Sequence, residues 1–193
     1  MQVTLQIPRR IDVFSDEELY AFCQANPDLR IERDENGQII IMPPTGLESS
    51  RRNMSLGSSV WQWNHRKKAG VVTDSNGGYT LPDTSMRAPD VGFVSNERLA
   101  TVPPDDLKKF ARVCPDFVIE LRSESDTLID LQRKMEKWLQ NGVRLAWLID
   151  PETEQTHIYR PGKEPEMRSF AEALSGEGVL EGFELNVKEV FES

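Results

Sequence analysis

The segment from Phe117 to Asp150 constrains this chain more than any other, because a strand, a helix and a second strand follow one another with almost no linker. In "FVIELRS", Phe117, Ile119 and Leu121 leave one face of an extended chain, while Glu120 and Arg122 leave the other. Between Asp126 and Asn141, Leu128, Leu131, Met135, Trp138 and Leu139 share one helical stripe. The "NG" that follows is a helix stop. "VRLAWLID" then carries apolar residues at both parities, as a strand covered on both faces requires. This order predicts a right-handed parallel crossover within a sheet.

The flanking segments extend that sheet. Residues 15–25 read as a helix capped by Ser15. "QIIIMPPTG" reads as a strand ending in a turn, and a helix from Thr45 to about Lys68 places Leu56, Val60 and Trp63 on one side. Short strands are expected at "VVTD" and "GGYTL" around the turn "SNGG". "RAPDVGFVS" reads as a single strand, and "THIYRPG" as the hairpin partner of "VRLAWLID". The tail reads as a turn, a short strand and a helical stub. Together these elements predict a mixed α/β (α+β) fold, a central mixed sheet flanked by helices, with residues 1–193 as one domain.

A net charge of -9 argues against a protein that coats nucleic acid through bulk charge, although it leaves room for a local basic groove. With only Cys23 and Cys114 there is neither a zinc motif nor a disulfide framework, which points to a reducing cytoplasm. "MQVTLQIPRR" lacks a long apolar core, and no apolar run is long enough to span a bilayer, so neither secretion nor a membrane partner is expected.

Four positions stand out against bland alternatives. Glu120 lies in an oily strand, where the ordinary explanation is a strand-face ion pair with Arg122. Asp90 is in one of five Pro-Asp dipeptides, and "APDV", like "CPDF", leads directly into an apolar strand. Two carboxylates at the ends of neighbouring strands could share a hard divalent cation. Lys134 flanks the helix's apolar stripe, whereas Arg133 and Lys137 lie on its solvent side, so Lys134 alone can lean over the sheet. Its alternative role is to cover apolar surface. Glu48, in "TGLE", fits a capping box with Thr45, which suffices to explain it.

Taken together, "MPPTGLESS", "APDVGFVS", "PDFVIELRSESD", "LQRKMEKWLQNGVRLAWLIDP" and "HIYRPG" resemble the Uma-type putative restriction endonuclease family of the PD-(D/E)XK nuclease superfamily. The resemblance runs from about Pro43 to Arg160. It implies a restriction-endonuclease-like core and hydrolysis of nucleic-acid phosphodiesters, with DNA the expected substrate. Asp90 and Glu120 would ligate Mg²⁺, or Mn²⁺ in its place, and Glu48 matches an acidic position that assists. The chain departs from the superfamily pattern at Arg122, where Lys is usual. In the Uma-type family the Lys comes from the following helix, which here is Lys134. Arg122 stays protonated and so cannot act as a base, although it could clamp a phosphate.

A two-fold homodimer is the expectation for cutting two strands, with Trp61, Trp63 and the hairpin after Pro151 as candidate surfaces. Arg51, Arg52, Arg66, Lys67, Lys68 and Arg87 are candidate backbone contacts. Two rivals stay open: a catalytically silent nucleic-acid-binding or regulatory protein that keeps the fold, and a non-nuclease hydrolase with the same metal cage.

Overall fold

The computed structural model describes residues 14–192, so the reading of "MQVTLQIPRR" lies outside the described residues. Ser15 caps helix α1 (Asp16–Ala25) through a complete capping box with Glu18, as expected. A hairpin follows, β1 (Arg30–Arg33) and β2 (Ile39–Met42), turned through Asn36 and Gly37, whose φ of 82° suits glycine. Helix α2 (Leu47–Lys67) leads into β3 (Gly70–Thr73), β4 (Tyr79–Thr80), β5 (Met86–Arg87), β6 (Val91–Ser95) and the short helix α3 (Asn96–Leu99). The strand–helix–strand unit is β7 (Phe117–Leu121), α4 (Leu128–Gln140) and β8 (Leu145–Asp150). Strands β9 (Gln155–Tyr159), β10 (Glu166–Ser169), β11 (Leu174–Ser175) and β12 (Glu184–Leu185), then helix α5 (Val187–Glu192), complete it.

The main sheet has the order β10-β9-β8-β7-β6-β3. Only β7 and β8 run parallel, joined by α4 as the short connections require. All the other neighbours are antiparallel, so the sheet is mixed. Helix α2 packs Leu56, Val60 and Trp63 on one face, against Phe117, Ile119 and Leu121. Helix α4 covers the other face with Met135 and Trp138, against Val118 and Leu148. Both α4 side chains are wholly buried, each worth roughly 1.5–3 kcal/mol. Glu120 therefore points from β7 towards α4, into the second core.

A smaller sheet, β2-β1-β5-β4, packs with α1 around Phe14, Leu19, Phe22, Ile31 and Met86. Here two expectations fail. "RAPDVGFVS" is not one strand: β5 belongs to the small sheet and β6 to the main one. Pro89 sits at the joint, where it has no N–H to give a ladder. Thr45 does not cap α2 either. The cap is Gly46, which has no side chain to bond with, and Glu48 turns to Arg51 and Arg52 instead of reaching back.

Candidate active site

The β6–β7 ladder sets the first relationship. Val91 pairs with Ile119 in antiparallel register, so one step further along Asp90 stands opposite Glu120 on the same face. Asp90 is held there from three sides. Its Oδ2 accepts the Leu121 backbone N–H at 2.8 Å, and its Oδ1 accepts from Asn53 at 3.0 Å and Arg30 at 3.4 Å. Asp90, Glu120 and Lys134 line one cleft of about 120 Å³, with Arg30, Asn53 and Asp126 also in its wall.

Glu120 is 3% exposed. Its Oε1 accepts from Trp138 Nε1 at 2.8 Å and lies 2.9 Å from Lys134 Nζ. Those two donors are four apart on α4, so one helical turn presents both to a single carboxylate oxygen. Burial pushes the Glu120 carboxyl up to about 7, although Lys134 opposes the rise; Asp90 and Glu32 add to it. Burial alone would depress the Lys134 ammonium. The surrounding Glu120, Glu32 and Asp90 carboxylates outweigh that effect and hold it above its ordinary value.

Glu32 is the residue that sequence reasoning missed. It is 2% exposed, and its Oε1 lies 3.2 Å from Lys134 Nζ and accepts the Ala88 N–H at 3.1 Å. Its Oε2 meets Arg87 at 3.5 Å. The ammonium thus sits between two carboxylates from different sheets. Arg30 and Asn53 were missed as well. The available signal was the Asn36-Gly37 turn, which marks "RIER" and "QIII" as a hairpin and so places Arg30 and Glu32 on one strand face.

Arg122 is not the partner of Glu120. Its guanidinium lies 3.0 Å from the buried Asp150 and 2.6 Å from Glu152. The parallel register explains this: Leu121 pairs with Ile149, so Arg122 falls beside Asp150. Glu48 is more than half exposed and 3.0 Å from both Arg51 and Arg52. It lines a neighbouring cleft with Arg122, not the one that holds Asp90 and Glu120. Arg87, a candidate backbone contact, is buried between Glu32 and Glu35. Trp63 is core, whereas Trp61 is exposed.

The donor set fits Mg²⁺ or Mn²⁺. Two hard carboxylates share the cleft, and Glu120 Oε2 takes no hydrogen bond from the described residues. Among the described residues no group of three or more His, Cys, Asp or Glu side chains gathers into a metal cage. Two carboxylates would leave most of the shell of a Mg²⁺ to water and substrate phosphate.

Comparison with known proteins follows the same line. A family model, Uma2, described as "Putative restriction endonuclease", matches residues 16–188. Among solved structures, the chain is similar to one described as the crystal structure of a putative nuclease belonging to DUF820 from Anabaena variabilis ATCC 29413. The two are 20% identical, with a TM-score of 0.71 over 84% of this chain and 89% of that one. At that identity the likeness bears on the fold, a restriction-endonuclease-like mixed sheet between helices. No curated protein matches the chain.

Proposed function

The chain belongs to the Uma2 family of putative restriction endonucleases, and from that premise we propose that it is a Mg²⁺-dependent endonuclease hydrolysing phosphodiester bonds of DNA. The observation that carries this reading is the contact of Lys134 with Glu120 at 2.9 Å, with Asp90 across the ladder in the same cleft. Asp90 and Glu120 would hold the ion. When bound, it supplies charge against the phosphate and a water of lowered pKa.

Lys134 stabilises the negative charge that gathers on the phosphate as the water oxygen bonds to phosphorus and the bond to the leaving sugar oxygen breaks. Glu32 keeps the ammonium at that point. Arg30, three-quarters buried at the cleft wall with Nε unpaired, is better placed than Arg122 to meet a phosphate oxygen. Glu48 and Arg122 have structural roles in this reading. The enzyme would act in the cytoplasm; among the described residues both cysteines are free and no helix is long and apolar enough to cross a membrane. Two copies related by a two-fold axis would suit cutting both strands.

The silent reading draws on the same contact, since Lys134 satisfies Glu120 with no ion present. Supercoiled-plasmid nicking with Mg²⁺ or Mn²⁺ separates the two. Wild type should nick and Glu120→Ala should not. Equal nicking by both would point to a contaminant, and absence of both nicking and calorimetric metal binding would leave the silent protein.

A further inference from the structure

Beside the acidic cleft lies a groove of about 970 Å³. Groove and cleft share Arg30, Thr45, Asn53 and Asp90 as walls, so they adjoin. Helix α2 forms one side of the groove, and β3 with its following turn, Val72 to Gly77, forms the other. The volume lies in the range of small-molecule sites.

Three features of the groove are unexplained by folding. Trp61 is 53% exposed and lines the groove, with its ring stacked on His65 at 4.8 Å and 23°. A half-bare indole held by a second ring is a stacking platform with a free face. Gly57 lies mid-helix, where glycine costs about 1 kcal/mol relative to alanine. A Cβ built there would meet only Val91 Cγ2, at an ordinary 3.8 Å, so packing does not demand glycine; its effect is to lower the groove floor. Asn53, at the junction with the cleft, holds Asp90 with its Nδ2 and leaves Oδ1 buried with no partner, an acceptor without a donor.

The charge of the walls decides what could lie there. Arg30 is the sole Lys or Arg among the described lining residues, and it already faces Asp90. Asp74 adds a negative charge. The basic pair Arg51 and Arg52 is engaged elsewhere, with Glu48 and against Phe191. A run of phosphates therefore finds no counter-charge in the groove. A flat neutral group with hydrogen-bonding edges does find partners, in the amides of Asn53, Gln62 and Asn76, whereas the Thr73 hydroxyl is taken by Tyr79.

Resting on the nuclease reading above, we propose that this groove takes an unstacked nucleobase next to the cleaved phosphate, with Trp61 as its stacking surface. The preferred substrate is then nucleic acid with an unpaired or easily extruded nucleotide, not intact duplex. Phosphate and metal belong to the cleft; the base belongs to the groove.

The test is binding, read by anisotropy of fluorescein-labelled oligonucleotides in Ca²⁺, which suppresses hydrolysis. The probes are a single strand, its perfect duplex and the same duplex with one mismatch. Wild type should bind the single strand and the mismatch about tenfold more tightly than the duplex, and Trp61→Ala should erase most of that preference. Trp61→Phe should restore it, and Gly57→Leu should abolish it by filling the floor. Equal affinity for all three probes, or an unchanged preference in Trp61→Ala, overturns the proposal. So does a Trp61→Ala variant whose only change is loss of a dimer in sedimentation, which would make this face a subunit contact. Failure of the nuclease reading looks different: Trp61-dependent single-strand binding with no nicking keeps the groove and sinks the enzyme. Glu120-dependent nicking that ignores base pairing and Trp61 does the reverse.

Discussion

Lys134 lies 3.2 Å from Glu32, a residue 102 positions earlier in the chain. The contact joins the small sheet to the helix that covers the main one. It also gives the ammonium a second carboxylate, so Lys134 is not dependent on Glu120 for its place. Arg87 and the Ala88 N–H complete the shell of Glu32.

Removing Glu32 should therefore act at two levels. Glu32→Ala leaves Lys134 and Arg87 short of a buried counter-charge and should cost roughly 3–5 kcal/mol in urea unfolding. Glu32→Gln keeps the shape and the acceptor for Ala88. It should fold, yet lower kcat while leaving KM near wild type, because a less firmly held Lys134 affects the reaction more than binding.

Lys134→Met tests the charge itself. The side chain keeps its length along α4 but brings no cation to the cleft. Turnover should fall by about 10²–10³ if Lys134 stabilises the transition state. Calorimetry should show Mg²⁺ still binding, since Asp90 and Glu120 remain. Unchanged turnover would remove Lys134 from the reaction.

Glu120 predicts a pH dependence. Burial, opposed by Lys134, raises its carboxyl to about 7, above the ordinary value of 4.5. A raised carboxyl favours the folded state when protonated. Its contribution is thus fully present below about pH 4.5 and is lost as the pH rises through about 7. The metal-free protein should lose melting temperature across that interval, and Glu120→Gln should flatten the curve. Added Mg²⁺ should raise the melting temperature more at about pH 8 than at about pH 5, because only the ionised carboxylate ligates.

Arg122 should behave as a structural residue. Asp150 is wholly buried and also accepts from the Glu152 N–H and Thr153 Oγ1, both at 3.0 Å. Arg122→Met strips its counter-charge and should cost roughly 3–5 kcal/mol in urea unfolding. Mg²⁺ affinity, measured by calorimetry on the folded variant, should stay within about twofold of wild type, the scatter expected of a site it does not touch.

Glu48→Gln completes the contrast. Its carboxylate is exposed, and its partners Arg51 and Arg52 are neighbours on the same helix face, so the pair is weak in water. Neither melting temperature nor Mg²⁺ affinity should change measurably. A large loss of metal affinity would return Glu48 to the ion's shell.

Read along the chain, the strand–helix–strand unit was legible because its signals are local: alternation in β7, a stripe in α4, and apolar residues at both parities in β8. Lys134 was legible for the same reason, since one flank of a helix can be located from spacing alone. Arg122 misled because spacing says which face a side chain leaves, not which neighbouring strand it meets; register with Asp150 settled that. The division at Pro89 was visible only as a proline, and its consequence, two sheets meeting at Asp90, needed both sheets.

By itself, then, the sequence determined the periodic elements, the mixed sheet they build and three ionisable side chains poised above it. Tertiary structure decided who faces whom. Ion pairing weakens steeply with distance and strengthens with burial, and those are properties of where segments far apart in the chain come to rest. Glu32 therefore met Lys134 only once the β1–β2 hairpin had packed against α4, and Asn53 and the groove beside Trp61 took shape only where α2 packs on β3 and β6.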